Sequence, residues 1–454
     1  MFFEDQEFNS YDSAEDNARN AQNLYEKGDY KQALTQIDNA IDCNCGNGAW
    51  HFNKALTLDS LQRFEEAIEE YYTAAEIMPY DLEIMNCLAV DYTRTGQYDR
   101  SLELFEQIEQ LDPTYEQAYC NRIVTYSEID KHDLAEQMFY MAQQIEPDCP
   151  LCFYNIGNSF YVRGELKKAI LCWKKTLELE PTHPQINYRI AQACWDQDTS
   201  EEAKKHFLAE IRINPADLNV INDFGIMLLE NEEIDSAREK FHRILEFNPD
   251  FAPAYFYLAE IALNQNDCEK AEQLFNKALE LDNELIGCKY RLAQFALSAD
   301  DRENAISLLH DELKLTQDDP EILVSMGSMF IALDDLDYAT HCLVRAVEID
   351  CENPDGYYYL GIISAIKEVN EDACDFFKQA FELNPEHVSA ITNYAIILIK
   401  TQQISKAINI IDIAKKLVPS DKKIKRLALI AKIMQKTQLA ASLIRTVLPK
   451  QSLK

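Results

Sequence analysis

Apolar residues recur along this chain at the three- and four-residue spacing of helices that bury one face. In residues 150–183 two such segments flank Arg163-Gly164, and Pro181 follows the second. Proline ends a helix because it lacks an N–H group and clashes with the preceding turn. The pattern predicts a 34-residue helical hairpin, which cannot bury its apolar face alone and must therefore stack on copies of itself.

The copies follow one another without insertions. With Pro150 as position 1, position 20 holds alanine in every repeat except the third, where it is Ser101. Position 8 holds alanine or glycine except at Ile123. Proline occupies position 32 at Pro79, Pro113, Pro147, Pro181, Pro215, Pro249, Pro385 and Pro419. Asn283, Gln317 and Cys351 replace it in repeats eight to ten, which indicates either a hinge or helices that another residue ends. The columns predict twelve repeats over residues 14–421.

In this period and these small-residue columns the chain resembles the tetratricopeptide repeat (TPR) family. The resemblance implies an all-α, right-handed α-solenoid of twelve tetratricopeptide-type helical hairpins. Residues 422–454 alternate lysines with apolar residues and predict a basic C-terminal capping helix pair, divided between Lys436 and Thr437. Residues 1–13 form an acidic segment with aromatics, which is either a frayed terminus lying on the first repeat or a docking peptide.

Charge and composition narrow the possible partners. The formal net charge is −35, yet residues 400–454 alone carry +11, from 13 basic and two acidic side chains. Nucleic acid is not expected as a ligand because phosphate binding needs a basic surface. The 13 cysteines are scattered through predicted helices, as in a reduced intracellular protein. With no export-type segment and no run of ~20 apolar residues, we expect a soluble, cytoplasmic chain without membrane contact.

No catalytic constellation emerges from the sequence, so we predict neither an enzyme nor a cofactor. Cys149 and Cys152, in the order CPLC, straddle a repeat junction without the strand–helix context of a redox site. Cys43, Cys45 and His51 form a looser cluster that lacks a fourth ligand in the sequence. Neither cluster is assigned a metal.

The family resemblance implies that the first helix of each repeat lines a concave groove with positions 2, 5, 6, 9, 12 and 13. Asparagine recurs at position 6, and this looks like a partial version of the asparagine ladder in the O-linked N-acetylglucosamine transferases. A carboxamide can grip a peptide backbone because it offers both a donor and an acceptor. The alternative is that these asparagines are merely solvated. The lysine and asparagine clamp of the family's chaperone-binding members is not matched.

One five-residue pattern occurs twice in the chain. Tyr188-Arg189-Ile190-Ala191-Gln192 and Tyr290-Arg291-Leu292-Ala293-Gln294 stand 102 residues apart in identical phase. An aromatic ring beside a guanidinium suits an acidic or aromatic ligand, although the arginines could simply balance neighbouring carboxylates. The predicted groove residues are Asn121, Tyr154, Asn155, Asn158, Tyr188, Arg189, Gln192, Trp195, Phe256, Tyr257, Tyr290, Arg291 and Gln294.

The function expected from this pattern is a non-catalytic protein–protein interaction scaffold that binds a peptide or helix in the groove. Tyrosine, asparagine and arginine in the groove support this, since aromatic and arginine side chains anchor interfaces. The alternative is an accessory subunit of an enzyme complex or assembly machine, held through the outer face or the basic C-terminal end. The identity of the partner and the oligomeric state do not follow from the sequence.

Overall fold

The computed structural model describes the backbone of residues 4–316 and 318–447, and the side chains of residues 13–316 and 318–437. Within these ranges the chain is helical and contains no strand, which confirms the predicted all-α class. It divides into two compact units, Met1–Glu232 and Glu233–Lys454. No helix of the described part is both long and apolar enough to cross a membrane.

The first unit is a stack of helical hairpins. Its helices are α1 (Glu4–Glu26), α2 (Tyr30–Cys43), α3 (Gly48–Ser60), α4 (Phe64–Ile77), α5 (Leu82–Arg94), α6 (Tyr98–Leu111), α7 (Glu116–Glu128), α8 (His132–Ile145), α9 (Pro150–Val162), α10 (Leu166–Leu179), α11 (Ile186–Asp196), α12 (Ser200–Ile213) and α13 (Leu218–Glu230). Each odd-numbered helix up to α11 pairs with the helix that follows it, and successive hairpins pack against each other. Because α1 begins at Glu4, the first hairpin includes residues that the sequence had assigned to a separate segment ending at residue 13. The aromatic side chains of that segment lie outside the described residues.

The second unit has the same construction. Its helices are α14 (Ile234–Phe247), α15 (Ala252–Asn264), α16 (Cys268–Leu281), α17 (Cys288–Ser298), α18 (Arg302–Leu315), α19 (Pro320–Ala332), α20 (Leu336–Ile349), α21 (Pro354–Ile366), α22 (Asn370–Leu383), α23 (Val388–Lys400), α24 (Ile404–Leu417) and α25 (Lys422–Val447). Helices α16 and α20 end at the same repeat position as their counterparts although Asn283 and Cys351 replace the proline. Another residue therefore ends these helices, while Gln317 lies outside the described residues.

The predicted capping helix pair is wrong. Lys422 to Val447 form one continuous helix, with no break between Lys436 and Thr437. The sequence there contains no glycine or proline, so nothing interrupts the backbone hydrogen bonds. Ile424 is buried on the last repeat, whereas Leu429 and Ile433 are exposed among the lysines.

Each hairpin turn uses the same backbone conformation at position 15. Twelve residues spaced by 34 have positive φ, from Gly28 to Gln402, and only Gly28, Gly96 and Gly164 are glycines. The others are Gln62, Asp130, Asp198, Glu232, Asn266, Asp300, Asp334, Glu368 and Gln402. The sequence therefore identified the turn at the three glycines, and the fold imposes the same left-handed conformation on nine residues with side chains.

The two helices of a hairpin meet at position 8, as the small-residue column predicted. A Cβ atom on Gly157, Gly327 or Gly361 would lie 2.6–2.7 Å from the side chain of Trp173, Leu343 or Phe377 respectively. These three neighbours all occupy position 24 and are nearly inaccessible to water. A small residue at position 8 therefore makes room for a large one at position 24, and this pair sets the separation of the helices.

Asp91, a buried carboxyl group on α5, should make the stability of the first unit depend on pH. Burial and the nearby Asp59 raise the pKa of Asp91 to about 7, against the opposing effect of Arg94, whose Nη1 lies 2.9 Å from Asp91 Oδ1. Between about pH 4 and 7 the folded chain then binds more protons than the unfolded chain, so the free energy of unfolding falls as pH rises. We expect Asp91→Asn to remove about 2 kcal/mol of the stability difference between pH 5 and pH 8.

Urea unfolding at the two pH values checks this expectation. Asp99→Asn, which alters an exposed carboxylate on α6, is the control and should leave the difference between pH 5 and pH 8 as it is in the unaltered chain. An Asp91→Asn variant that loses stability between pH 5 and pH 8 as the unaltered chain does would show that Asp91 is ionised throughout.

Candidate functional site

Hydrogen bonds connect the first helices of neighbouring repeats in the first unit at a spacing of 35 residues. Asn121 Nδ2 donates to Asn86 Oδ1 at 3.1 Å, and Asn155 Nδ2 donates to the Cys120 carbonyl at 2.9 Å. The Tyr161 hydroxyl donates to Asp196 at 2.7 Å. Residues 35 apart occupy consecutive positions of adjacent first helices, which explains the regular spacing. We call the surface formed by the groove positions of these helices the groove face of the first unit.

This arrangement changes the role expected of the asparagines. Asn155 is only 7% exposed, and its amide donor is committed to α7. Asn121 is half-buried and spends a donor on Asn86. These two asparagines of the predicted ladder therefore join helices to one another. Asn158 differs, because it is half-buried and its side chain makes no hydrogen bond to any residue of the described part.

The aromatic groove residues are partly occupied with packing. Tyr154 contacts the His183 ring with a centroid distance of 4.6 Å, and Trp195 contacts Phe207. In the second unit Phe256 packs against the buried Phe275, and Tyr257 stacks on Phe241 at 5.2 Å. These four groove residues remain half-buried, so each leaves part of its ring on the surface.

Repeats six and nine differ from the others in the same way. Their first helices, α11 and α17, have 11 residues, whereas the first helices of repeats two to five have 13. Each follows a residue with positive φ, Gln185 or Gly287. In repeat nine Glu312 accepts hydrogen bonds from the N–H groups of Gly287 and Lys289 at 2.7 and 3.0 Å. Glu210 faces the N–H groups of Tyr188 and Asn187 in repeat six, which oppose the rise that burial causes in its pKa. The similarity of repeats six and nine in sequence therefore extends to their backbone conformation.

Arg291, in repeat nine, is fully paired. Its Nε and Nη2 each donate to a carboxylate oxygen of Glu260 at 2.7 Å, and its guanidinium lies 4.9 Å from the centre of the Tyr290 ring. Gln294 Oε1 accepts a third hydrogen bond at 3.3 Å. Tyr290 is buried beneath this group. Such a bidentate pair satisfies the arginine without any ligand.

Arg189 stands at the same position of repeat six as Arg291 does of repeat nine, but no carboxylate pairs with it. Its side chain makes no ion pair or hydrogen bond with any residue of the described part, and its Nε is buried without an acceptor. The sequence explains the difference, because Asn158 stands 31 residues before Arg189, where Glu260 stands 31 residues before Arg291. A neutral carboxamide therefore replaces the carboxylate that would neutralise Arg189.

The carboxylates on the same face are already engaged. Asp223 accepts from the Tyr188 hydroxyl at 2.5 Å and from Gln192 Nε2 at 3.4 Å. Glu230 accepts from Trp195 Nε1 at 2.6 Å, and Asp196 accepts from Tyr161. Burial, with the Asp196 carboxylate, raises the pKa of Tyr161 to about 12, so the tyrosine remains a neutral donor. In a chain with 78 acidic and 43 basic residues, an unpaired groove arginine is the feature that most directly indicates an anionic ligand.

The groove face also has an opening in the first two repeats. A cavity of about 280 Å³ is lined by Gln22, Tyr25, Glu26, Asn53 and Thr57, together with apolar side chains of α1, α2 and α3. The polar lining there comes from both repeats.

A cysteine cluster lies between α7 and α9, where the sequence had predicted no site. The structure joins Cys120 to Cys152 in a disulfide, contrary to the expectation that all 13 cysteines are reduced, and Cys149 Sγ lies 3.5 Å from Cys120 Sγ. Glu116 Oε1 lies 2.7 and 2.9 Å from the two bonded sulfurs. Burial and the Glu116 carboxyl raise the pKa of Cys149 to about 12.

The CPLC pair is visible in the sequence as a motif, whereas Cys120 and Glu116 are not part of any motif there. They precede Cys152 by 32 and 36 residues, nearly one repeat length, so the repeat register places them one helix away. The repeat register was therefore the feature of the sequence that could have identified Cys120 and Glu116 as neighbours of Cys152. The second cluster does not come together, because Cys43 and Cys45 are exposed and His51 is bonded to Glu70 and to the Cys45 carbonyl.

Sequence comparisons connect most of the chain to one family. Profiles described as tetratricopeptide repeat match residues 19–81, 82–108, 154–217, 222–285 and 370–433. Human protein O-mannosyl-transferase TMTC3 is 25% identical over 261 residues, covering 52% of this chain and 28% of that protein. The TPR repeat-containing protein YpiA of Bacillus subtilis is 22% identical over 198 residues, covering 43% of this chain and 47% of its own. The chain thus spans less than half the length of these relatives.

Among solved structures, the APC/C hetero-tetramer Cut9-Hcn1 superposes with a TM-score of 0.47 at 15% identity, covering 90% of this chain and 95% of that one.

Proposed function

Because the chain belongs to the tetratricopeptide repeat family, whose members are generally protein-interaction scaffolds, we propose that it is a non-catalytic scaffold that binds an acidic peptide segment of a protein partner. The binding surface is the groove face of the first unit, and Arg189 is its anchor. The observation that carries the proposal is that Arg189 is half-buried and has no anionic partner, while its counterpart Arg291 is neutralised by Glu260.

The chemistry around Arg189 supports an aspartate, a glutamate or a terminal carboxylate as the group that is bound. A guanidinium binds such a group through two parallel hydrogen bonds, and partial burial strengthens them relative to water. Asn158, whose amide is free of partners in the described part, can supply a further donor. Tyr154 and Trp195 occupy groove positions before and after Arg189 in the chain. Their rings can offer apolar contact to the same ligand.

The neighbouring helices support a ligand that is held in one orientation. Tyr161, Tyr188 and Trp195 each donate a hydrogen bond to a carboxylate on the first helix of the next repeat. These bonds fix three of the groove side chains. A surface whose side chains are already ordered loses little conformational entropy when a ligand binds. The proposed site is therefore suited to an extended segment with an acidic residue at a defined place.

Selection from a library of displayed random peptides, followed by fluorescence anisotropy on the selected peptides, tests the proposal. We expect the selected peptides to be enriched in acidic residues. Arg189→Ala should weaken their binding by about 2 kcal/mol or more, roughly 30-fold, because it removes a partly buried charge partner. Helicity should not change, since the Arg189 side chain makes no hydrogen bond or ion pair within the described part.

A second variant closes the site without removing the arginine. Asn158→Glu places a carboxylate where Glu260 stands in repeat eight, so Arg189 should form an internal pair and peptide binding should fall by a similar factor. Arg291→Ala is the matched control, because it removes the same side chain at the same repeat position but breaks an internal pair. It should lower stability and leave peptide affinity unchanged.

Peptides without acidic residues, or an affinity that Arg189→Ala does not alter, would contradict the proposal. The main alternative is an accessory subunit held by its basic C-terminal end, and the exposed Leu429 and Ile433 among the lysines of α25 favour it. In that case Leu429→Lys would abolish association with the partner, and Arg189→Ala would have no effect.

A further inference from the structure

Four side chains with metal-binding atoms converge between repeats four and five. The ligand atoms of Glu116, Cys120, Cys149 and Cys152 all lie within 4.8 Å of one another. Cys120 and Cys152 are fully buried, and Cys149 is 8% exposed. This cluster lies apart from Arg189 in sequence and in repeat, and it plays no part in the function proposed above.

Helix geometry holds the four groups in place. Glu116 and Cys120 are one helical turn apart on α7, so both project from the same side of that helix. Cys149 caps α9, and its sulfur accepts the N–H group of Cys152 at 3.4 Å. Cys152 then lies in the first turn of α9. Two ligands from each of two helices therefore meet without any loop having to close over them.

Three sulfurs and one carboxylate oxygen are a ligand set for zinc. Zinc in structural sites is bound tetrahedrally, with Zn–S distances of about 2.3 Å and Zn–O distances of about 2.0–2.2 Å, which separates the ligand atoms by about 3.5–3.8 Å. Cys120 Sγ and Cys149 Sγ are already 3.5 Å apart, which fits this range. Glu116 Oε1 lies 2.7 and 2.9 Å from the sulfurs of Cys120 and Cys152, so these three groups must move apart to admit zinc once the disulfide is reduced. Magnesium and calcium prefer ligand sets made of oxygen alone, which this cluster does not provide.

A buried zinc site of this kind needs positive charge nearby to compensate for its thiolates. Zn²⁺ with three thiolates and a carboxylate carries a net charge of −2. The first turn of α9 directs the N–H group of Cys152, and the positive end of the helix dipole, at the cluster. The bond from Cys152 N to Cys149 Sγ is part of that arrangement. The buried site therefore contains compensating positive charge from the backbone.

We propose that the reduced form of this cluster binds one Zn²⁺ through the thiolates of Cys120, Cys149 and Cys152 and the carboxylate of Glu116. The metal links α7 to α9 and so cross-links repeats four and five. In the disulfide form two of the three sulfurs are bonded to each other, and zinc is excluded. A dithiol reductant supplies the two electrons and two protons that break the Cys120–Cys152 bond, and Zn²⁺ then displaces three thiol protons.

Metal binding by the full-length chain tests this site. The chain is first reduced with a phosphine. Alkylation and mass spectrometry of a separate sample confirm 13 free thiols. Zinc is then added to the reduced, unalkylated chain, and dialysis removes the zinc that is not bound. We expect one tightly bound zinc per chain and a higher thermal midpoint. Co²⁺ in place of zinc should give the thiolate charge-transfer and tetrahedral visible bands of a sulfur-rich site.

The variants separate the site from general thiol chemistry. Cys149→Ser should weaken zinc binding by at least about 100-fold, because loss of even an outer hydrogen-bond partner of a metal ligand costs about 10- to 100-fold. Cys194→Ser is the matched control, since Cys194 is equally buried in the first unit but lies outside the cluster. It should bind zinc as the unaltered chain does.

Circular dichroism verifies that each variant remains helical, and Glu116→Gln, which keeps the size of the side chain, should also weaken binding. A reduced chain that retains no zinc would overturn the proposal, as would equal zinc content in Cys149→Ser and the unaltered chain. Zinc binding that survives Glu116→Gln unchanged would overturn the assignment of the carboxylate as the fourth ligand.

Discussion

Gly157→Leu is expected to lower the free energy of unfolding by about 3 kcal/mol. A Cβ atom at residue 157 would lie 2.6 Å from both Cδ1 and Nε1 of Trp173, well inside van der Waals contact. Trp173 cannot move aside easily, because it is 1% exposed and donates to the Tyr154 carbonyl at 3.3 Å. Removing a glycine from a helix gains at most about 1 kcal/mol, which does not offset displacement of a buried indole.

Urea unfolding followed by tryptophan fluorescence measures this effect. Gly46→Leu is the control, because its Cβ would meet only Asn44 Oδ1, at 3.5 Å, an ordinary contact. Gly157→Ala should fall between the two, since alanine already needs a shift of Trp173. If Gly157→Leu unfolded at the same urea concentration as Gly46→Leu, α9 and α10 would not meet where position 8 and position 24 place them.

Deletion of residues 422–454 should make the last repeats aggregate or unfold. Helix α25 buries Ile424, Ala428 and Ala431 in one cluster with Ile391, Ala395 and Ile411 of the preceding hairpin. Without α25 that apolar side of the stack would face water, and a terminal repeat in a solenoid needs a cover that tolerates water on its outer side. Sedimentation and circular dichroism of the shortened chain should show association together with a loss of helix beyond the deleted residues.

A pair of point variants tests the same interface with less disruption. Ile424→Lys buries an unpaired charge against repeat twelve and should destabilise the second unit by about 3 kcal/mol or more. Leu429→Lys alters a residue that is 61% exposed on the same helix and should change stability by less than about 0.5 kcal/mol. A soluble, monomeric and fully helical deletion variant would instead identify α25 as an appendage available for binding.

The sequence predicted the repeat well because packing between neighbours fixes the same positions in every copy. The position 8 column anticipated the contact of Gly157 with Trp173, and the prolines at position 32 marked the end of the second helix in the eight repeats that contain them. Both features are local, and each depends on residues less than one repeat apart. The predicted division of α25 failed because an expected pair was imposed on a segment that contains no helix-breaking residue.

The candidate sites were harder to predict because each depends on a neighbour in another repeat. Arg189 and Arg291 stand in similar local sequences, and the carboxylate that pairs with Arg291 is Glu260, whereas Asn158 stands at the equivalent place 31 residues before Arg189. Asn155 has a groove position, yet its amide bonds to the Cys120 carbonyl of the preceding first helix. Cys120 similarly acquires its significance from Cys149 and Cys152 in the next repeat. Comparing each position with the one a repeat before it would have revealed these pairs.

The left-handed residue at position 15 implies that this stack operates below the stability its architecture allows. Residues such as Gln62, Glu368 and Gln402 hold a backbone conformation that strains any residue with a Cβ atom, at about 1 kcal/mol each, and glycine would relieve it. These turns are far apart, so their contributions should add. Substituting glycine at one hairpin turn after another should therefore raise the stability of either unit in steps. Neither the Arg189 site nor the cysteine cluster would be changed.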